Sequence, residues 1–143
     1  MGRLTVLHAS LDSSLMKVLL IEDHPGMAKV SCDLLRERYG HDVQHAATGR
    51  EALAAIPEFD PDLILLDLNL PDGHGYPLAE QIRQLPSGQR AILVALTAFA
   101  LTGDTEKSRA AGIDAHYRKP MDFAELTQLK RFTPAASSEE AAS

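Results

Sequence analysis

Three runs carry no polar residue at all: VLLI at 18–21, LILL at 63–66 and AILVAL at 91–96. A strand with one face in water alternates apolar and polar residues, and these do not. Both of their faces must therefore be covered, as happens when helices flank a parallel sheet on both sides. Each run is too short to cross a bilayer, which takes about 20 apolar residues. Each also stops abruptly at a polar side chain: Glu22 after the first, Asp67 after the second and Thr97 after the third.

Helical signals fill the gaps between strands. Strand 17–21 is followed by Pro25, suited to a first helical turn, and by Met27, Val30 and Leu34 at helical spacing until Gly40. A second, more polar strand at 42–46 reads as an edge. Thr48 and Glu51 form a capping box opening a helix expected to end before Pro57. Strand 62–67 precedes a Pro-Asp-Gly-His-Gly loop and a helix with Leu78, Ile82 and Leu85. After strand 91–96 comes a helix from 102 to 111 closed by Gly112, then strand 114–118, then a last helix with Phe123, Leu126 and Leu129 on one face. Five strands alternating with five helices make a doubly wound (βα)5 α/β fold with a five-stranded parallel sheet. The domain is placed at 16–133, residues 1–15 as an N-terminal arm or linker, and 134–143, PAASSEEAAS, as a flexible tail.

The formal net charge of −6, without a clustered basic face, argues against direct nucleic-acid binding, where phosphate neutralisation supplies most of the affinity. No convincing signal peptide or membrane span is present. One cysteine, Cys32, allows no intramolecular disulfide and reads as a small residue on a helix core face. A reducing cytoplasm is the expected compartment.

In doubly wound sheets the ligand site lies beyond the carboxyl ends of the strands. There this chain places Glu22 and Asp23, Asp67, Thr97, and Lys119 followed by Pro120. Any one alone reads as a solvated turn or a cap, but five at four strand ends point to one rim. Three neighbouring carboxylates repel one another, a penalty that a hard, oxygen-loving cation such as Mg²⁺ removes. A carboxylate can also attack phosphorus to form an acyl phosphate, with Lys119 and the metal balancing charge. Asp67 is the best nucleophile candidate because it ends the most buried strand.

These segments resemble the receiver domains of bacterial response regulators and hybrid histidine kinases. VLLIEDHP is similar to their first acidic motif, FDPDLILLDLNLPDGHG to the segment around the phosphorylated aspartate, and ALTA and AGIDAHYRKP to the threonine and lysine motifs. The resemblance covers about 16–131. It implies a flavodoxin-like receiver fold with strand order 2-1-3-4-5. It implies Asp67 as phosphoacceptor, fed by a phosphohistidine on a sensor histidine kinase or histidine phosphotransfer protein. Glu22, Asp23, Asp67 and the backbone carbonyl of Asn69 would bind Mg²⁺, Thr97 and Lys119 would contact the phosphoryl oxygens, and the Lys119–Pro120 bond would be cis. The surface of the fourth helix, fifth strand and fifth helix, residues 101–131, would change with phosphorylation and be read by a downstream partner or a second copy.

One position departs from the family pattern. Receivers usually carry Tyr or Phe three residues before the lysine as a switch; here His116 stands there and is taken as the switch residue with Thr97, Tyr117 facing the other way. His24 and His74 read as exposed loop residues, and His41 and His45 as members of the polar second strand. A haloacid-dehalogenase-like phosphatase would need its acids in another order, and a flavodoxin a phosphate-cradling first loop. A phosphorylation-independent pseudo-receiver, acting as an interaction module, is the alternative. With no output domain after residue 133, the chain is expected to be a single-domain regulator or, slightly favoured, a receiver from a hybrid protein.

Overall fold

The computed structural model describes residues 15–70, 73–97, 105–119 and 123–125. Five strands, β1 (Lys17–Ile21), β2 (Asp42–Ala46), β3 (Leu63–Asp67), β4 (Ile92–Thr97) and β5 (Ala115–Arg118), form one sheet. All neighbours pair in parallel in the order β2-β1-β3-β4-β5, so β2 is an edge and β3 is central. The helices are α1 (Pro25–Asp33), α2 (Gly49–Phe59), α3 (Gly75–Gln84) and α4 (Thr105–Ala110), with a single-turn helix at Pro86–Arg90.

The unbroken apolar runs are explained by two separate core layers. Leu19, Ile21, Ile64, Leu66, Leu93 and Ala95 pack against α2 and α3 through Ala52, Ile56, Phe59, Ala79 and Ile82. Their sequence neighbours Val18, Leu20, Leu63, Leu65, Ile92 and Val94 pack on the other side against Ala28, Cys32 and Leu35. Both halves of each strand's alternation are thus buried. Cys32 is in this second layer, where burial pushes its thiol pKa up.

The local chemistry differs from expectation in several places. The helix opened by Thr48 does not stop before Pro57 but runs to Phe59. Proline there forfeits one hydrogen bond to the preceding turn. Continuing the helix buries Phe59 against the sheet, and Asp60, at φ 52°, ends it with its N–H donating to the Ile56 carbonyl at 2.9 Å. Thr48 Oγ1 accepts from Glu51 N at 3.1 Å, as a capping box requires, but Glu51 Oε1 accepts from Ala47 N, one residue before the cap. The third loop contains a two-residue antiparallel ladder, Asn69–Leu70 with Gly73–His74. After α1 the chain widens into a π-turn at Leu34–Arg38.

Arg83 anchors the single-turn helix. It donates to the carbonyls of Gly112 (2.8 Å), Gly88 (2.6 Å) and Ala91 (2.7 Å) and pairs with Asp114 at 2.8 Å. Gly88 is required there, since a Cβ would stand 1.9 Å from the Ile82 carbonyl oxygen. Where a last helix is expected, the described residues Phe123–Glu125 form a 3-10 turn. Residues 1–14, Pro120 with its expected cis bond, Leu126 and Leu129, and the 134–143 tail lie outside the described residues. Among the described residues no helix is long and apolar enough to cross a membrane.

Candidate functional site

The strand ends converge as the topology demands. Asp67 is the last residue of β3 and is level with Leu96, placing Thr97 one residue beyond it on the neighbouring strand. Glu22 follows β1 directly, and its N–H donates to the Ala46 carbonyl of β2 at 3.0 Å, so the rim stays in sheet geometry past the strand. Lys119 follows β5 in the same way, its N–H donating to the Thr97 carbonyl at 2.7 Å.

The side chains meet above these ends. Lys119 Nζ donates to Glu22 Oε1 at 3.0 Å and to Asp67 Oδ2 at 3.1 Å. Oxygens of Glu22, Asp23 and Asp67 all lie within 4.8 Å of one another. Glu22 and Asp67 are buried, at 5% and 4% exposure, whereas Asp23 faces solvent. One ammonium thus pairs with the two carboxylates removed from water, and the third, Asp23, lies beside them in solvent. Burial works against the charged form of Lys119, but the hydrogen bonds to Glu22 and Asp67, together with their charges, prevail and raise its pKa.

The donor set suits a small hard cation. Mg²⁺ prefers oxygen ligands, and Glu22, Asp23 and Asp67 offer carboxylate oxygens that all lie within 4.8 Å of one another. The exposed Asp23 leaves the rim open to water on one side. Asn69 comes two residues after Asp67 and pairs with His74. Thr97 is buried at the end of β4.

The histidines divide differently from the sequence reading. His24 is not simply an exposed loop residue: its Nδ1 accepts from Met27 N at 3.1 Å, capping α1, while its own N–H donates to Glu22 Oε2. His41 is buried just before β2 and accepts from Met16 N at 3.0 Å, a structural role. His45 does lie on β2, where its Nε2 stands 2.7 Å from the Glu22 carbonyl. These contacts fix Glu22 from both sides, and only the pairing of β2 with β1 brings His45 there. His116 is half-buried, its Nε2 2.5 Å from Ser108 Oγ. Its neighbour Tyr117 packs on the α1 side, so the two do face opposite ways. Neither Ser108 nor Tyr76, which completes that contact, carries a sequence signal of its own.

Beside the rim is an apolar cleft of about 500 Å³ lined by Leu20, Met27, Val30, Leu34, Leu96 and Phe123. Met27 and Val30 are exposed on α1.

A doubly wound parallel sheet carrying an acid trio and a lysine at its carboxyl rim defines a class of α/β signalling protein. The response regulator receiver domain family matches residues 18–131, and the chain belongs to that family. Receivers are signalling modules of two-component systems, not metabolic enzymes. The chain is 33% identical over 126 residues to the signal transduction histidine-protein kinase BarA of Escherichia coli K12, covering 87% of this chain but 14% of the kinase. It is 34% identical over 104 residues to the polar-differentiation response regulator DivK of Brucella ovis, covering 73% of this chain and 84% of DivK. Among solved structures it resembles the receiver domain of sensor histidine kinase PA1611 from Pseudomonas aeruginosa, which holds a magnesium ion in its active-site cleft. That match has 35% identity, a TM-score of 0.70, and covers 82% of this chain and 95% of that one. It also resembles the Vibrio cholerae chemotaxis protein CheY4, with 26% identity, a TM-score of 0.72, and coverage of 82% and 96%.

Proposed function

We propose that this domain accepts a phosphoryl group on Asp67 from the phosphohistidine of a sensor histidine kinase or histidine phosphotransfer protein. The observation that carries this reading is the position of Lys119 Nζ, within 3.1 Å of both Glu22 and Asp67 at the rim of a carboxylate trio. Glu22, Asp23, Asp67 and the Asn69 carbonyl are the residues that would hold Mg²⁺. When bound, the ion relieves repulsion among the carboxylates and neutralises charge on phosphoryl oxygens.

The chain's own groups account for the remaining steps. An Asp67 oxygen attacks phosphorus as the P–N bond of the donor breaks, and the leaving imidazole takes up a proton. Burial of Asp67 excludes most water, so the carboxylate is fixed and poorly solvated before attack. Lys119, its pKa raised, stays an ammonium and moves from pairing Asp67 to pairing the phosphoryl group. The Thr97 hydroxyl donates to a second phosphoryl oxygen, drawing the end of β4 towards Asp67. Slow loss of the group follows in-line attack by water opposite the Asp67 oxygen, which leaves as the carboxylate while inorganic phosphate is released.

The apolar cleft against α1 supplies a surface on which a donor helix can seat beside the rim. The response is a population shift of the 101–131 face, read by a downstream partner or a second copy. A donor phosphotransfer protein labelled on histidine should pass its label to the wild type within one binding equilibrium. The label should be released by hydroxylamine, as an acyl phosphate is, and should not appear on Asp67→Asn. Label that reaches Asp67→Asn equally, or that resists hydroxylamine, would end this reading.

A further inference from the structure

We propose that Ser108 is a positioning residue, closing a ring of contacts that holds Lys119 over Asp67; this rests on the phosphoacceptor reading above. One arm of the ring leaves Asp67 through Lys119 and runs back three residues along β5 to His116, whose Nε2 meets Ser108 Oγ on α4. Ser108 Oγ in turn donates to the Tyr76 hydroxyl of α3 at 3.2 Å. The other arm leaves Asp67 through the next residue, Leu68, whose carbonyl accepts from Gly75 N at 3.0 Å. Gly75 has no room for a side chain, since a Cβ would lie 2.8 Å from Leu68 Cα, and Tyr76 is the following residue. The two arms therefore meet at Ser108 and Tyr76.

The junction is enclosed. Ser108 is 2% exposed and Tyr76 is 8% exposed, so neither hydroxyl can freely exchange its protein partner for water. A serine hydroxyl carries one proton. With that proton given to Tyr76, the contact from His116 requires an Nε2–H on the imidazole. Joined this way, β5, α4 and the start of α3 share one arrangement, and the position of Lys119 is set partly by a bridge on the far side of β5. Opening the bridge gives Lys119 slack and makes the site less prepared for a phosphoryl group. The ring also extends the responsive surface from 101–131 to the first turn of α3, where Lys107 Nζ lies over the Tyr76 ring at 5.6 Å.

The test is a double-mutant cycle on the full chain with Ser108→Ala, Tyr76→Phe and the pair. The readouts are beryllofluoride affinity in Mg²⁺ and the imidazole nitrogen shifts of His116. Each single change should weaken beryllofluoride by about threefold or more, the scale of coupling through such elements. The double variant should be no worse than either single one, because both open the same ring. The His116 nitrogens should report Nε2–H in the wild type and move in Tyr76→Phe, although Ser108 is retained. Additive losses, unchanged affinities, or imidazole shifts indifferent to Tyr76→Phe would overturn the ring. If Ser108→Ala fails to fold, Tyr76→Phe alone gives both readouts. A wild type that binds no beryllofluoride would instead remove the phosphoacceptor reading, and the positioning role with it.

Discussion

Replacing Asp67 with asparagine removes one charge from the rim while keeping shape and an oxygen for Lys119. Its effect on stability follows from the distances. Lys119 attracts Asp67 across 3.1 Å, worth about 5 kcal/mol at an effective dielectric of about 20. Glu22 repels Asp67 across no more than 4.8 Å, which costs about 3.5 kcal/mol or more on the same basis. Asp23 adds repulsion of the same sign, reduced by its exposure. Attraction lost and repulsion relieved nearly cancel. Without divalent cation, Asp67→Asn should therefore unfold within about 1.5 kcal/mol of the wild type. Mg²⁺ should separate the two: at tenfold its dissociation constant it should stabilise the wild type by about 1.4 kcal/mol and the variant by much less. Urea unfolding followed by circular dichroism, in EDTA and then in Mg²⁺, reads both quantities. A loss of about 3 kcal/mol or more in EDTA would make Asp67 half of a structural ion pair, refuting the view of an acid trio poised for a cation.

Lys119→Met should behave in the opposite way, leaving Glu22 and Asp67 buried without their cation and costing about 3 kcal/mol in EDTA, part of it recovered with Mg²⁺. The raised pKa of Lys119 sets a pH window: its stabilising contribution is fully present below the ordinary lysine value of 10.5 and is lost as pH rises through the higher folded value. The stability gap between wild type and Lys119→Met should thus be flat at neutral pH and narrow in strong alkali; a gap that widens there would contradict the assignment. Arg83→Met, which strips donors from three carbonyls and the partner from Asp114, should cost about 3 kcal/mol in thermal unfolding without preventing phosphorylation of Asp67.

The sheet was legible because runs such as LILL carry no polar residue, and only a strand covered on both faces tolerates that. The rim was legible because a parallel sheet sends every strand's carboxyl end to one side, so Glu22, Asp67 and Lys119 had to meet, with Thr97 at the end of the neighbouring strand. What escaped depends on partners distant in sequence. Pro57 looked like a helix stop, but burial of Phe59 outweighs one missing hydrogen bond. His24 and His45 carried no cue that both would hold Glu22, since one acts through its backbone N–H and the other through strand pairing. The single-turn helix at Pro86–Arg90 depends on Arg83, whose contacts reach as far as Asp114. The Ser108–Tyr76–His116 junction joins three elements that nothing in the local pattern associates.

Intact mass after incubation with a small-molecule phosphodonor such as phosphoramidate, with and without Mg²⁺, tests the central claim most directly on wild type and Asp67→Asn. A single Mg²⁺-dependent phosphoryl adduct on the wild type, absent from the variant, is the expected result. An adduct of equal yield on Asp67→Asn, or a wild type that stays unmodified under conditions where it accepts nothing from a phosphorylated histidine protein either, would contradict it.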